Sequence, residues 1–220
     1  MANEKSEKEL ALEIRTNIGA RMNSPSAQRN RDPIRDAFSK SMPTAGTALE
    51  VAGGTGEHAV HLARAFPELH IYTGDPDEKA RASIASRIEE AGLENLTGPH
   101  HIDVMINNWG VEEQAPYDAI IAINMIHIAP IEAVIGLMRG ADRLLERGGK
   151  LFLYGPFRRD GEHTAPSNEA FDADLKSRDE RWGVRDLEQE IVPIAQKNRI
   201  QLEDCIAMPA NNFSAIFGKT

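Results

Sequence analysis

The residues best suited to chemistry surround one glycine-rich turn. Glu50 precedes Ala52, Gly53, Gly54 and Gly56, and helix-forming residues begin at once with Glu57. A strand that breaks into such a turn and opens a helix makes a site for an adenosine-bearing ligand in α/β folds. One fingerprint is complete here: Gly54-Thr55-Gly56-Glu57-His58-Ala59 satisfies G-x-G-x-x-A, the nicotinamide or flavin pattern. Asp75 then lies at the distance expected for a ribose-binding acid at the end of the next strand. Pro76 fixes the turn after it, and Asp77 is a second candidate for the same task.

The same run also resembles motif I of class I S-adenosylmethionine methyltransferases, read as Glu50-x-Ala52-x-Gly54-x-Gly56. Electrostatics separates the two readings. A dinucleotide sets its pyrophosphate on the helix N-terminus, and an acid in the preceding strand would oppose that charge. S-adenosylmethionine has no phosphate and carries a sulfonium and an ammonium, so Glu50 favours it. Glu57 in the first helical turn points the same way, although first-turn acids also complement the helix dipole. The methyltransferase resemblance implies that Asp75 accepts the ribose hydroxyls. It implies that Asp103, in His101-Ile102-Asp103-Val104, contacts the adenine amino group. Asn124 is expected at the same sheet edge. Arg29 and Asn30 lie in the N-terminal segment that often crosses this pocket, and Arg29 is a candidate partner for the cofactor carboxylate.

Methyl transfer needs the acceptor held collinear with the methyl carbon and the leaving sulfur. His127, just past the fourth predicted strand, has the chemistry of a general base that titrates near neutral pH, or of a capping or packing histidine. Tyr154, ending the fifth strand, orients an acceptor or is a buried aromatic. The Asn-Pro-Pro-Tyr string of several amino-nitrogen methyltransferases is replaced by Asn124-Met125-Ile126-His127, which disfavours nucleic-acid bases and protein glutamine as acceptors. Arg158, Arg159 and His163 open a polar stretch, residues 155–185, read as a lid whose arginines would clamp a small anionic acceptor. Interleaved aspartates offer the alternative of internal Arg–Asp pairs. His58 and His61 lie one turn apart, but no third ligand completes a metal set, so no metal is expected.

These groups need a scaffold to position them. The chain has 220 residues, enough for one large domain, and a net charge of -9 that argues against general nucleic-acid or anionic-membrane binding. Cys205 is the only cysteine, so no internal disulfide can form, and its apolar neighbours suggest a buried thiol. No apolar run approaches the ~18 residues of a membrane span, and the first residues lack a signal-peptide core. A soluble cytoplasmic protein is the expectation, with self-association left open. Leu10, Ile14 and Ile18 predict an amphipathic helix over residues 4–20. Residues 22–33 read as irregular, with Pro33 opening a short helix to residue 40. Strands at 48–51, 70–73, 95–102, 119–124 and 150–154 then alternate with helices at 57–66, 78–91 and 131–145. That alternation predicts a parallel sheet with helices on both faces. A helix at 186–198 and a closing strand pair at 200–208 and 212–217 follow. Residues 155–185 show no period.

The chain further resembles the DUF938 family over about residues 24–217. The likeness rests on Arg29-Asn30 with Pro33-Ile34, on Gly54 to Val60, and on Asp75-Pro76-Asp77. It continues through Ile123-Asn124-Met125-Ile126-His127, Tyr154-Gly155-Pro156-Phe157-Arg158-Arg159-Asp160-Gly161, Ser167-Asn168 and Met208-Pro209-Ala210-Asn211-Asn212. It implies an α/β, Rossmann-like class I methyltransferase fold: a seven-stranded, mostly parallel sheet of order 3-2-1-4-5-7-6. Residues 1–42 would form a helical extension and 43–220 the domain that binds S-adenosylmethionine, with a lid-like insertion at 155–185. The expected activity is methyl transfer to a small molecule, with no nucleic-acid or membrane partner. A nicotinamide oxidoreductase and a non-catalytic binding protein of the same fold are the alternatives.

Overall fold

A computed structural model describes residues 16–220. The expected helix over residues 4–20 falls mostly outside them. Its last residues are not helical: β1 (Thr16–Ile18) and β2 (Arg21–Asn23) form an antiparallel hairpin. The next helix starts well before Pro33. In α1 (Pro25–Ser41), Ser24 caps the N-terminus by accepting from the Ala27 amide, and Pro25 takes a first-turn position that needs no donor. Pro33 therefore lies inside α1, where its ring offers no N–H to the carbonyl of Arg29.

The central sheet holds β3 (Gly46–Val51), β4 (Leu69–Gly74), β5 (Leu96–His100), β6 (Tyr117–Ile123), β7 (Leu145–Gly155), β10 (Ile200–Met208) and β11 (Asn212–Lys219). Across the sheet they run β10-β11-β7-β6-β3-β4-β5, which is 3-2-1-4-5-7-6 when these seven are counted in chain order. The pairs from β5 to β7 are parallel, and β11 and β10 close the edge as antiparallel strands. Apolar residues fill consecutive positions of the central strands because both faces are covered. Leu49, Val51, Ile120, Ala122, Leu151 and Leu153 pack on one face against α4 (Ile131–Leu144) and the turns from Leu187 to Ala195. Their neighbours Ala48, Ala119, Ile121 and Phe152 pack on the other face against α1 and α2 (Glu57–Ala65). The period of two along each strand makes this division. α3 (Glu78–Ala91) runs from its Asp77 cap to Gly92, whose left-handed backbone ends it.

The stretch 155–185 is folded rather than loop-like. It contains the short pair β8 (Arg158–Arg159) and β9 (Glu162–His163) and then α5 (Pro166–Arg178). Leu175, Trp182 and Val184 make a small core of their own there, with Phe171 and Ile128 against it. So few apolar side chains leave no helical stripe for a sequence reading to find. The helix expected at 186–198 appears as one wide turn, Leu187–Ile191, followed by α6 (Val192–Gln196). No described helix is long and apolar enough to cross a membrane.

One side chain ties three elements together at the amino-terminal edge of the sheet. The Asn95 amide donates to the carbonyls of Ala63 and Phe66 at the end of α2 and of Leu69 at the start of β4, at 2.9, 3.1 and 3.0 Å. Asn95→Ala leaves these part-buried carbonyls without that donor and should cost about 1–3 kcal/mol of unfolding free energy, read by urea denaturation.

Candidate functional site

The strand order reverses between β3 and β6, and connections leave the sheet in opposite directions there. A cavity of about 720 Å³ opens at the carboxyl ends of these strands and their neighbours β4 and β7. Several of its lining residues hold strained backbone. Ala52 and Asn124, just past β3 and β6, have φ of 52° and 60°, and Ala210 and Asn211, across the cavity, have 57° and 59°. Non-glycine residues in that region are uncommon and gather at functional sites.

The glycine turn is held by the end of β4. Asp75 accepts from the Gly54 amide at 3.0 Å and from the Asp77 amide at 2.9 Å. Gly53 donates its amide to the Gly74 carbonyl at 2.9 Å. Gly54 has φ 56°, and a Cβ there would meet no atom nearer than the Ala52 carbonyl oxygen at 3.9 Å. Such a Cβ would stand in open cavity, so the missing side chain keeps space for a ligand. Gly56 does not line the cavity; a Cβ on it would come within 3.1 Å of the Ile84 Cα, so it lets α2 approach α3.

Behind the turn lies an ion network that fastens the N-terminal segment. Glu57, buried at the first turn of α2, accepts from the Ser24 amide at 2.8 Å and the Thr55 hydroxyl at 2.9 Å. Arg87 of α3 faces it at 3.5 Å and donates to the carbonyls of Thr55 and Met22. This clasp starts α1 beside the turn and brings Arg29 and Asn30 onto the cavity wall. Asn30 lies beside the Tyr154 hydroxyl, and its Oδ1 is buried with no hydrogen-bond partner among the described residues.

Glu50 is only 2 % exposed, and among the described residues its one hydrogen bond comes from the Thr73 hydroxyl at 2.6 Å. Burial pushes its carboxyl up to about 7; the Thr73 bond opposes that shift and Asp75 adds to it. His58 also lines the cavity, and burial, aided by His61 and Arg31, drives it down to about 4. Pro76, Asp103 and Val104 form the wall past β4 and β5, where the Asp103 carboxylate accepts from the Met105 amide at 2.9 Å. Asp77 lines the cavity too, but its side chain caps α3 through the Ala80 amide.

The opposite wall differs in charge. Past β6 and β7 the polar lining is neutral: His127, Tyr154, Ser167, Asn168, Asn211 and Asn212. Phe171, Ile128 and Pro130 add apolar surface. His127 is 1 % exposed and stands edge-on to the Phe157 ring at 5.1 Å. Its Nδ1 accepts the Arg185 backbone amide at 3.2 Å. Burial, with the Arg185 charge, lowers it to about 3, so it does not titrate near neutral pH as the sequence suggested. Tyr154 is buried, and burial raises its hydroxyl.

Besides Gly56, three expected site residues stand away from the cavity. Arg158 donates to the Val184 carbonyl and faces Glu190 at 3.5 Å. Arg159 pairs with Glu188 at 2.6 Å and stacks over Phe213 at 5.4 Å. His163 faces Asp172 at 3.5 Å. These pairs hold the 155–185 segment to the domain, so the arginine clamp on a small anion is corrected to an internal brace. The sequence reading had Asn168, Asn211 and Asn212 within its family strings but gave them no role. Asn168 donates to the Asn211 carbonyl at 2.9 Å and so closes the neutral wall. Ser24 to Ala27 were missed because the cap was sought at Pro33.

The chain matches the family described as "Protein of unknown function (DUF938)" over residues 21–219. Solved structures share its fold. The S-adenosylmethionine-dependent methyltransferase SibL is 20% identical with a TM-score of 0.70, covering 88% of this chain and 55% of its own. Mitomycin 7-O-methyltransferase MmcR is 16% identical with a TM-score of 0.72, covering 89% and 54%. An O-methyltransferase family 2 protein from Planctomyces limnophilus, solved with apigenin, is 18% identical with a TM-score of 0.70, covering 89% and 61%. The chain thus spans little over half the length of these structures.

Asp75 bonds the turn as well as lining the cavity. Asp75→Asn sets an amide against one of the two backbone N–H groups it now accepts. It should lower unfolding free energy by about 1–2 kcal/mol and weaken adenosine-ligand binding at least tenfold, read by denaturation and calorimetry.

Proposed function

The chain belongs to the DUF938 family, and from its cavity we propose that it is an S-adenosylmethionine-dependent methyltransferase acting on a small molecule. The observation that carries this reading is Glu50: a buried carboxyl at the strand end beside the glycine turn, in want of a cation. The ammonium of the cofactor supplies one. A phosphate ligand fits poorly, because the Glu57 carboxylate already occupies the first turn of α2 and Asp75 has taken the Gly54 amide. The fold shared with SibL, described as S-adenosylmethionine-dependent, supports the same cofactor.

On this reading Asp75 takes the ribose hydroxyls, Asp103 the adenine amino group and Arg29 the cofactor carboxylate. Ala52, Gly53 and Gly54 give the backbone surface along which it lies. When bound, the cofactor supplies an electrophilic methyl group on a positively charged sulfur. The protein's part is to exclude water and hold the acceptor against the neutral wall, a matter of position before proton transfer.

Calorimetry with S-adenosylmethionine, S-adenosylhomocysteine and NADPH tests the assignment. Micromolar binding of the first two without NADPH is expected; NADPH binding alone would overturn it. Glu50 gives the pH dependence its sign. Its carboxyl ionises at about 7 in the free protein, and a bound ammonium favours the ionised form, so binding releases a proton below that pH. Affinity for S-adenosylmethionine should rise with pH up to about 7 and then level, with proton release visible in buffers of different ionisation enthalpy. Because the folded state holds the Glu50 proton above its unfolded value, this group opposes folding increasingly from pH 4.5 to 7. Glu50→Gln should therefore raise the melting temperature at pH 8 by about 2–4 °C while weakening cofactor binding.

A further inference from the structure

Asn168 is only 5 % exposed, and its amide is bonded at one end. Nδ2 donates to the Asn211 carbonyl at 2.9 Å and to the Thr164 hydroxyl at 3.0 Å, which takes up both of its hydrogens. The Asn211 carbonyl can only accept, so it fixes which end of the amide is nitrogen. Oδ1 therefore points the other way, and among the described residues nothing donates to it. Unlike His127 Nε2 and Asn30 Oδ1, this oxygen is not sealed off by packing, and the residue lines the cavity. A carbonyl oxygen left open on a cavity wall calls for a donor.

The frame around that oxygen is fixed. Asn168 stands in the first turn of α5, and Phe171 three residues on shares its face and also lines the cavity. Phe171 packs on the small core of Leu175, Trp182 and Val184. A second bond, from the Asn211 Nδ2 to the Ser167 hydroxyl at 3.2 Å, joins α5 again to the turn between β10 and β11. These bonds hold that turn with its left-handed backbone at Ala210 and Asn211. Charge is missing from this side. Arg29 is the cation that lines the cavity, on α1, and Arg158 and Arg159 are taken up by Glu190 and Glu188. A carboxylate on this wall would leave water for a surface with no cation and face the Asn168 lone pairs.

We propose that Asn168 and Phe171 form the subsite for the methyl acceptor, and that it takes an uncharged molecule with a flat apolar body and a hydroxyl or N–H group that donates to Asn168 Oδ1. This rests on the methyltransferase reading above. Phe171 covers the flat body, and Asn168 fixes how it is turned. An analogue of the same shape without the donor would bury Oδ1 unsatisfied, so Asn168 sets specificity as well as position.

Ligand-observed nuclear magnetic resonance on the protein loaded with S-adenosylhomocysteine tests this with phenol, fluorobenzene and benzoate. Phenol should bind saturably and show contacts to the Phe171 ring. Fluorobenzene, of like shape but without a donor, should bind about tenfold more weakly, and benzoate more weakly than phenol. In Asn168→Ala the preference for phenol over fluorobenzene should fall to about one. A residue that only braced the wall would weaken both probes and keep their ratio. Phe171→Leu leaves the Asn168 bonds in place and should weaken phenol and fluorobenzene alike, about fivefold, with S-adenosylhomocysteine affinity unchanged. Should Asn168→Ala not fold, the wild-type ratio and Phe171→Leu still decide. Equal binding of phenol and fluorobenzene, tighter binding of benzoate, a ratio retained in Asn168→Ala, or no binding of any probe would each overturn the proposal. Failure of the protein to bind S-adenosylhomocysteine would overturn the methyltransferase reading instead, and the same titrations on the free protein then decide the subsite.

Discussion

The Asp75 carboxylate bridging Gly54 and Asp77 is the contact on which the site depends. It joins the turn after β3 to the turn after β4, two loops distant in sequence and adjacent only through the parallel sheet. With both amides satisfied, the turn is held with left-handed backbone at Ala52 and Gly54. Gly56 lets α2 and α3 close behind it. The clasp of Glu57, Arg87 and Ser24 then fixes where α1 begins, and α1 in turn sets Asn30 against Tyr154. The cavity wall is therefore preorganised from the glycine turn outward.

Charge is divided across that cavity. Glu50, Asp75, Asp77 and Asp103 follow strands β3 to β5, whereas the lining past β6 and β7 is neutral. The acidic side suits a cationic, hydroxyl-rich ligand. The neutral side offers apolar and uncharged polar surface. Low local dielectric acts on both sides, since a buried carboxyl or imidazole with few partners shifts toward its neutral form. Glu50 and His127 are the two clearest cases, the carboxyl raised and the imidazole lowered by burial.

The 155–185 segment shows how position overrides composition. Its arginines have the chemistry to hold an anion, but Arg158 and Arg159 spend that capacity on Glu190 and Glu188. The segment reaches the cavity instead through Ser167, Asn168 and Phe171 of α5. Arg185 meets the His127 ring through its backbone amide as well as by its charge.

Sequence alone determined the strand–helix alternation, the doubly wound sheet and the glycine turn with Glu50 and Asp75. Those follow from local signals: apolar runs of strand length, glycine where the backbone must turn left-handed, and acids at strand ends. It missed the start of α1 because Pro25 and Pro33 read alike until a cap distinguishes them. It missed α5 because a helix with few apolar residues leaves no period. Only the tertiary structure decided which charges reach the cavity, which pair among themselves, and that burial holds His127 neutral. Such choices depend on partners tens of residues away, and on burial that no single stretch of sequence contains.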